Sequence, residues 1–116
     1  MKREEIFKYI EENYGIKPEY PWDDLEDAAV FRHKTNRKWF ALVMNVKGEE
    51  YLNVKTDPNY SDLLRNTYDY IIPAYHMNKE LWNTIIFSRN VEKQLVYELI
   101  DQSYEITQTK RKNKKA

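Results

Sequence analysis

Cysteine is absent from this 116-residue chain. That excludes disulfides, thiolate nucleophiles and cysteine-ligated zinc or iron-sulfur sites, and it suits a reducing compartment. Histidine occurs twice, at His33 and His76, without a metal-ligand spacing such as His-x-x-x-His. Glycine is equally scarce: Gly15 reads as a helix stop, and Gly48 as part of a hairpin turn. No apolar run approaches the ~20 residues that span a bilayer. The Met1-Lys2-Arg3-Glu4-Glu5 start lacks the apolar stretch of a signal peptide. The expectation is a soluble, cytoplasmic protein without membrane contact.

What the chain has in quantity is aromatic side chains: ten Tyr, four Phe and three Trp, within a 41% hydrophobic composition. A chain of this length and composition folds without covalent staples around an aromatic-rich core. One domain over residues 1–107 is expected, followed by a basic tail over 108–116. The zero net charge conceals segregation, with balances of -5 over residues 1–27, +4 over 28–56, -4 over 57–109 and +5 over 110–116. The body without its tail is therefore anionic, and a polyanion would meet attraction only where the cations gather.

Ile6, Phe7, Ile10 and Tyr14 recur at one-face helical spacing behind Glu4 and Glu5, which predicts a helix over 3–14 closed by Gly15. Lys17 to Asp27, with Pro18 and Pro21 around Tyr20 and Trp22, reads as an extended connection whose aromatics cover the core edge. Three antiparallel strands follow, at Ala29–His33, Lys38–Val46 and Glu50–Lys55. They are joined by the turns Lys34-Thr35-Asn36-Arg37 and Lys47-Gly48-Glu49. Thr56 or Asp57 caps a short helix that begins at Pro58 and runs to about Thr67. Tyr70–Ala74, broken by Pro73, fits an edge strand, and Leu81–Phe87 a further strand. Asn90 is the expected cap of a closing helix carrying Val91, Leu95, Val96, Leu99 and Ile100 through Thr107.

The segment Ile71 to Asn83 follows neither a helical nor a strand period, yet concentrates Pro73, Tyr75, His76, Asn78, Lys79, Trp82 and Asn83. Such a segment serves either a buried polar network or a surface that meets a partner.

This order of elements resembles the MmcQ/YjbR family of small bacterial proteins. The matching stretches are Phe31-Arg32-His33 with Trp39-Phe40-Ala41, Leu52 through Pro58, Pro73 through Lys79 with Trp82-Asn83, and Leu99-Ile100 with Ser103-Tyr104. The resemblance runs from Ile6 to about Thr107, and Tyr75-His76-Met77-Asn78-Lys79 with Trp82-Asn83 is its most specific part. It implies a CyaY-like α/β fold of the α+β type, an antiparallel sheet with the N- and C-terminal helices on one face. It also implies DNA binding through two hairpin-like wings, here the hairpin around Lys34 to Lys38 and the loop around Tyr75 to Lys79.

On this reading Arg32, Lys34, Arg37, Lys38, Lys55 and Lys79 contact phosphates, while Tyr75, His76 and Asn78 supply a stacking ring and polar base contacts. Each has a structural counterpart. Hairpin tips are ordinarily polar and Lys-rich edges discourage strand pairing, while His76 and Asn78 could satisfy the backbone of an irregular loop over Tyr75, Met77 and Trp82. Trp39 and Trp82 read as core or core rim. His33 and His76 with Asp57 form no nucleophilic set. The acids Glu4, Glu5, Glu11, Glu12, Asp23 and Asp24 sit at solvent-facing positions where carboxylates are ordinary, so no metal site is assigned to them. The sequence therefore leads to a monomeric, non-catalytic protein without cofactor or metal whose partner is DNA. The alternative is a protein-interaction module that uses its acidic face.

Overall fold

The computed structural model describes residues 1–74 and 77–108. Along the chain come α1 (Arg3–Tyr14), β1 (Ala29–Arg32), β2 (Trp39–Val46), β3 (Glu49–Lys55), α2 (Pro58–Thr67), β4 (Ile71–Pro73), β5 (Trp82–Ile86) and α3 (Lys93–Thr107). The strands form one antiparallel sheet in the order β1-β2-β3-β5-β4.

Cross-strand partners share a face, so register decides what each face becomes. Ala29, Val43, Leu52, Ile85 and Ile71 form one row across all five strands. This row belongs to the main core with Ile6 and Ile10 of α1 and Leu95, Val96, Leu99 and Ile100 of α3. The next row, Val30, Leu42, Asn53, Thr84 and Ile72, faces the other way. There a smaller cluster of Ala28, Val30, Leu42 and Met44 packs with Trp22, Trp39 and Met77. Asn53 and Thr84 are fully buried, and the Thr84 hydroxyl donates to Asn53 Oδ1.

Local chemistry sets the element ends. The Glu5 carboxylate accepts from the Lys2 N–H at 2.9 Å, and Gly15, at φ 66°, closes α1 with its N–H on the Glu11 carbonyl. A left-handed residue at that stop favours glycine. Lys47 (φ 52°) and Gly48 (φ 89°) make the tight turn between β2 and β3. Asp57, rather than Thr56, caps α2 by accepting from the Asn59 N–H at 2.9 Å, with Pro58 in the first turn. Asn90 does not cap α3. The cap position is Glu92, whose N–H is held by the Tyr70 hydroxyl at 3.3 Å, so a tertiary partner takes the place of a local side chain. Of the two aromatics expected over the core edge, Trp22 packs there, but Tyr20 is 52% exposed.

A β-bulge shapes the region near the site. Phe31 pairs with Ala41 but Arg32 pairs with Trp39, so Phe40 is the extra residue, and it joins Ala41 in the main core. Where Phe40 would face Lys55, the Ser103 hydroxyl of α3 stands between the strands. It donates to the Phe40 carbonyl at 2.6 Å and accepts from the Lys55 N–H at 2.9 Å. The helices are joined by stacked rings, Tyr9 on Tyr97 and Tyr14 on Tyr104, with both α1 hydroxyls donating to Asp101. Burial, reinforced by the bonded carboxylate, pushes the Tyr9 phenol up to about 12 and also raises that of Tyr14.

Candidate nucleic-acid interface

The sheet register brings the strand ends that flank both candidate segments to one end of the sheet. Arg32 and Trp39 close the β1–β2 pair, Lys55 and Trp82 close the β3–β5 pair, and Pro73 lies opposite Asn83. The hairpin of residues 33–38 and the connection of residues 74–81 therefore leave the same end. They are separated by β3, two interstrand gaps of ~4.8 Å each. Met77 packs in the cluster with Val30, Leu42 and Trp39, so the second connection reaches across the face opposite the helices.

The first hairpin is closed by the His33 N–H on the Lys38 carbonyl (2.9 Å) and the Arg37 N–H on the His33 carbonyl (3.2 Å). Arg37 sits at φ 63°, a region a non-glycine residue seldom adopts. The end of α3 backs this hairpin. His33 Nε2 lies 2.7 Å from the Thr107 hydroxyl, and Asn36 Nδ2 donates to the Thr107 carbonyl at 3.0 Å. The His33 ring is buried; burial first and the Lys38 charge second push its pKa below the ordinary value, against a backbone contact at Tyr104.

The cations of this end are not equivalent. Arg37 Nη2 donates to both oxygens of Glu19, at 3.0 and 2.8 Å, and Arg32 Nε lies 3.2 Å from Glu19 Oε1. The Arg32 guanidinium also stands 5.6 Å over the Trp39 ring. One carboxylate thus interrupts the expected cationic surface at two of its arginines. Lys34 is exposed, its ammonium 3.4 Å from where a Cβ on Gly15 would stand, at the C-terminal end of α1. Lys38 is exposed and Lys55 half-buried. Lys79 Nζ donates to the Ala74 carbonyl at 2.9 Å. Among the described residues no carboxylate lies within ion-pair distance of Lys34, Lys38, Lys55 or Lys79.

In the second connection Asn78 acts as a turn organiser: its Oδ1 accepts from the Glu80 N–H at 2.9 Å, and its carbonyl accepts from the Trp82 N–H at 2.9 Å. Tyr75 and His76, expected to stack on and bond to bases, lie outside the described residues, as does the basic run Lys110 to Lys115.

Beneath this connection lies a buried polar network. Arg65 Nε donates to Asn83 Oδ1 at 2.6 Å, and Arg65 Nη2 reaches the Lys79 carbonyl. Asn83 Nδ2 in turn donates to the Thr56 and Ser61 hydroxyls. The segment around Asn83 thus serves a buried network at its base, one of the two roles its composition suggested.

Sequence reasoning missed Glu19 and Arg65. Both act through partners 13 to 18 residues away in the chain, and no local period marks them. Among the described residues no group of three or more His, Asp or Glu is placed to hold a metal ion.

The fold defines a class: an α+β domain with a five-stranded antiparallel sheet and two of its three helices packed on one face. The chain belongs to the YjbR family, whose profile matches residues 3–106. It is similar to the uncharacterised protein YyaQ of Bacillus subtilis (strain 168), 41% identical over 117 residues that cover 92% of this chain and 98% of YyaQ. It is also similar to the uncharacterised protein YjbR of Escherichia coli (strain K12), 32% identical over 66 residues, 57% of this chain and 56% of YjbR. A crystal structure of a protein from Pseudomonas syringae superposes with a TM-score of 0.86 at 34% identity, covering 93% of this chain and 100% of that one. A crystal structure of a Deinococcus radiodurans protein gives a TM-score of 0.78 at 26% identity, over 90% of this chain and 77% of that one.

Proposed function

We propose that the chain is a monomeric, non-catalytic DNA-binding module that straddles the phosphate backbone with two wings, the β1–β2 hairpin and the β4–β5 connection. The observation that carries this reading is their emergence from one end of the sheet with Lys34, Lys38, Lys55 and Lys79 free of carboxylate partners among the described residues. A stiff hairpin backed by α3 presents Lys34 and Lys38 without a large ordering cost on contact. The reading implies the bacterial cytoplasm as the compartment.

The test is duplex affinity across a salt series. Binding should weaken as salt rises, and the Lys34→Glu/Lys38→Glu variant should lower the salt slope by about two units and cost at least about tenfold in affinity near 0.1 M salt. Absence of binding to duplex and to single strand at low salt overturns the reading.

That outcome would favour a second one, a protein-interaction module. It is supported by a shallow groove of about 390 Å³ between α1 and α3, lined by Glu5, Lys8, Tyr9, Glu12 and Tyr97.

A further inference from the structure

We propose that Arg32 and Arg37 form an oxyanion site that the Glu19 carboxylate occupies in the free protein and that a nucleic-acid phosphate takes over on binding. The inference rests on the DNA-binding reading and adds to it a built-in competitor. A carboxylate held by both arginines marks a position where a phosphodiester, with two non-bridging oxygens and one negative charge, finds the same donors.

Three features favour exchange. First, Arg32 Nε is buried and lies 3.2 Å from Glu19, yet has no aligned hydrogen-bond acceptor, so Glu19 serves Arg37 well and Arg32 poorly. Second, the guanidinium of Arg32 is already positioned over Trp39, so the site does not have to be assembled when an anion arrives. Third, the Glu19 side chain is 41% exposed, where an ion pair is screened and weak enough to be displaced.

The release needs no refolding. The Glu19 backbone is fixed to Val30 by two hydrogen bonds of 2.8 Å, so rotation of the side chain alone vacates the site. Wild-type affinity is thereby set below what the arginines could support, and the hairpin is shielded from weak anions.

Wild type, Glu19→Gln and Glu19→Gln/Arg37→Gln proteins should be compared for duplex affinity over a salt series and for thermal stabilisation by inorganic pyrophosphate. Glu19→Gln keeps the backbone pairing with Val30, and its circular dichroism and melting temperature control for folding. The expected result is duplex binding about five- to thirtyfold tighter than wild type near 0.1 M salt, with a salt slope steeper by about one to two units. Pyrophosphate should stabilise Glu19→Gln more than wild type, and both gains should vanish with Arg37→Gln. Duplex binding by wild type that Glu19→Gln does not improve overturns the competitor and leaves the DNA-binding reading intact. Arg37-dependent pyrophosphate binding with no duplex binding by any of the three overturns the nucleic-acid phosphate as ligand and leaves an oxyanion site for a free phosphorylated molecule.

Discussion

Single residues in this protein act mostly through distant partners. His33 is the clearest case, buried at the base of the hairpin with Thr107 at one ring nitrogen and Lys38 nearby. Its folded-state pKa lies below the ordinary value, so in mildly acidic solution the unfolded chain binds the proton more readily. The stability this provides is full above about pH 6.5, and it falls as pH drops below that value toward the folded pKa. Urea unfolding at pH 7.5 and pH 5.0 should therefore show wild type losing stability, and His33→Gln losing less across the same interval. Equal losses in both proteins would remove His33 as the source. The carboxylates Glu5, Glu49 and Glu50 add a separate decline at lower pH. A lysine at Glu5, an arginine at Glu49, and at Glu50 hydrogen bonds from Arg3 and Asn45 that outweigh burial, hold all three below the usual carboxylate range.

Secondary-structure elements were the most legible level of the sequence, and the reasons are local. The period of Ile6, Phe7, Ile10 and Tyr14 with Gly15 gives the bounds of α1, and the Asp57-Pro58 pair marks the start of α2. Strand ends predicted from alternation lie within about one residue of those observed. Three features escaped because their causes are tertiary. The start of α3 depends on the Tyr70 hydroxyl, the bulge at Phe40 depends on Ser103, and the engagement of two hairpin arginines depends on Glu19. At the site, the cations were visible as residue types, whereas their pairing was not.

The Ser103 insertion makes a prediction at this level. Its hydroxyl does what a direct Phe40–Lys55 backbone bond would do, so Ser103→Ala leaves a buried carbonyl and a partly buried N–H without their partner. The expected cost is about 2 to 3 kcal/mol in chemical denaturation, with faster amide exchange at Lys55. A loss under about 0.5 kcal/mol would mean that the strands close over the gap.

At the scale of the whole molecule, charge is distributed rather than scarce. Residues 57–109 carry a balance of -4 and residues 110–116 carry +5, so deleting residues 109–116 takes the net charge from 0 to -5. If the wings are the binding surface, the truncated protein still binds duplex at low salt, more weakly and with a shallower salt slope. Complete loss on truncation, with the Lys34→Glu/Lys38→Glu variant unaffected, would instead place binding in the tail. Among the described residues no helix is long and apolar enough to cross a membrane.

The edges of the sheet have a consequence for how copies of this chain meet. On β4 the Ile71 N–H is engaged by the Tyr68 carbonyl and Pro73 has no N–H, while on β1 both backbone groups of Val30 are taken by Glu19. At these positions among the described residues, the outward donors that would template strand addition are already taken or missing. Edge-to-edge stacking of folded copies through Val30, Ile71 or Pro73 therefore has no ready starting point.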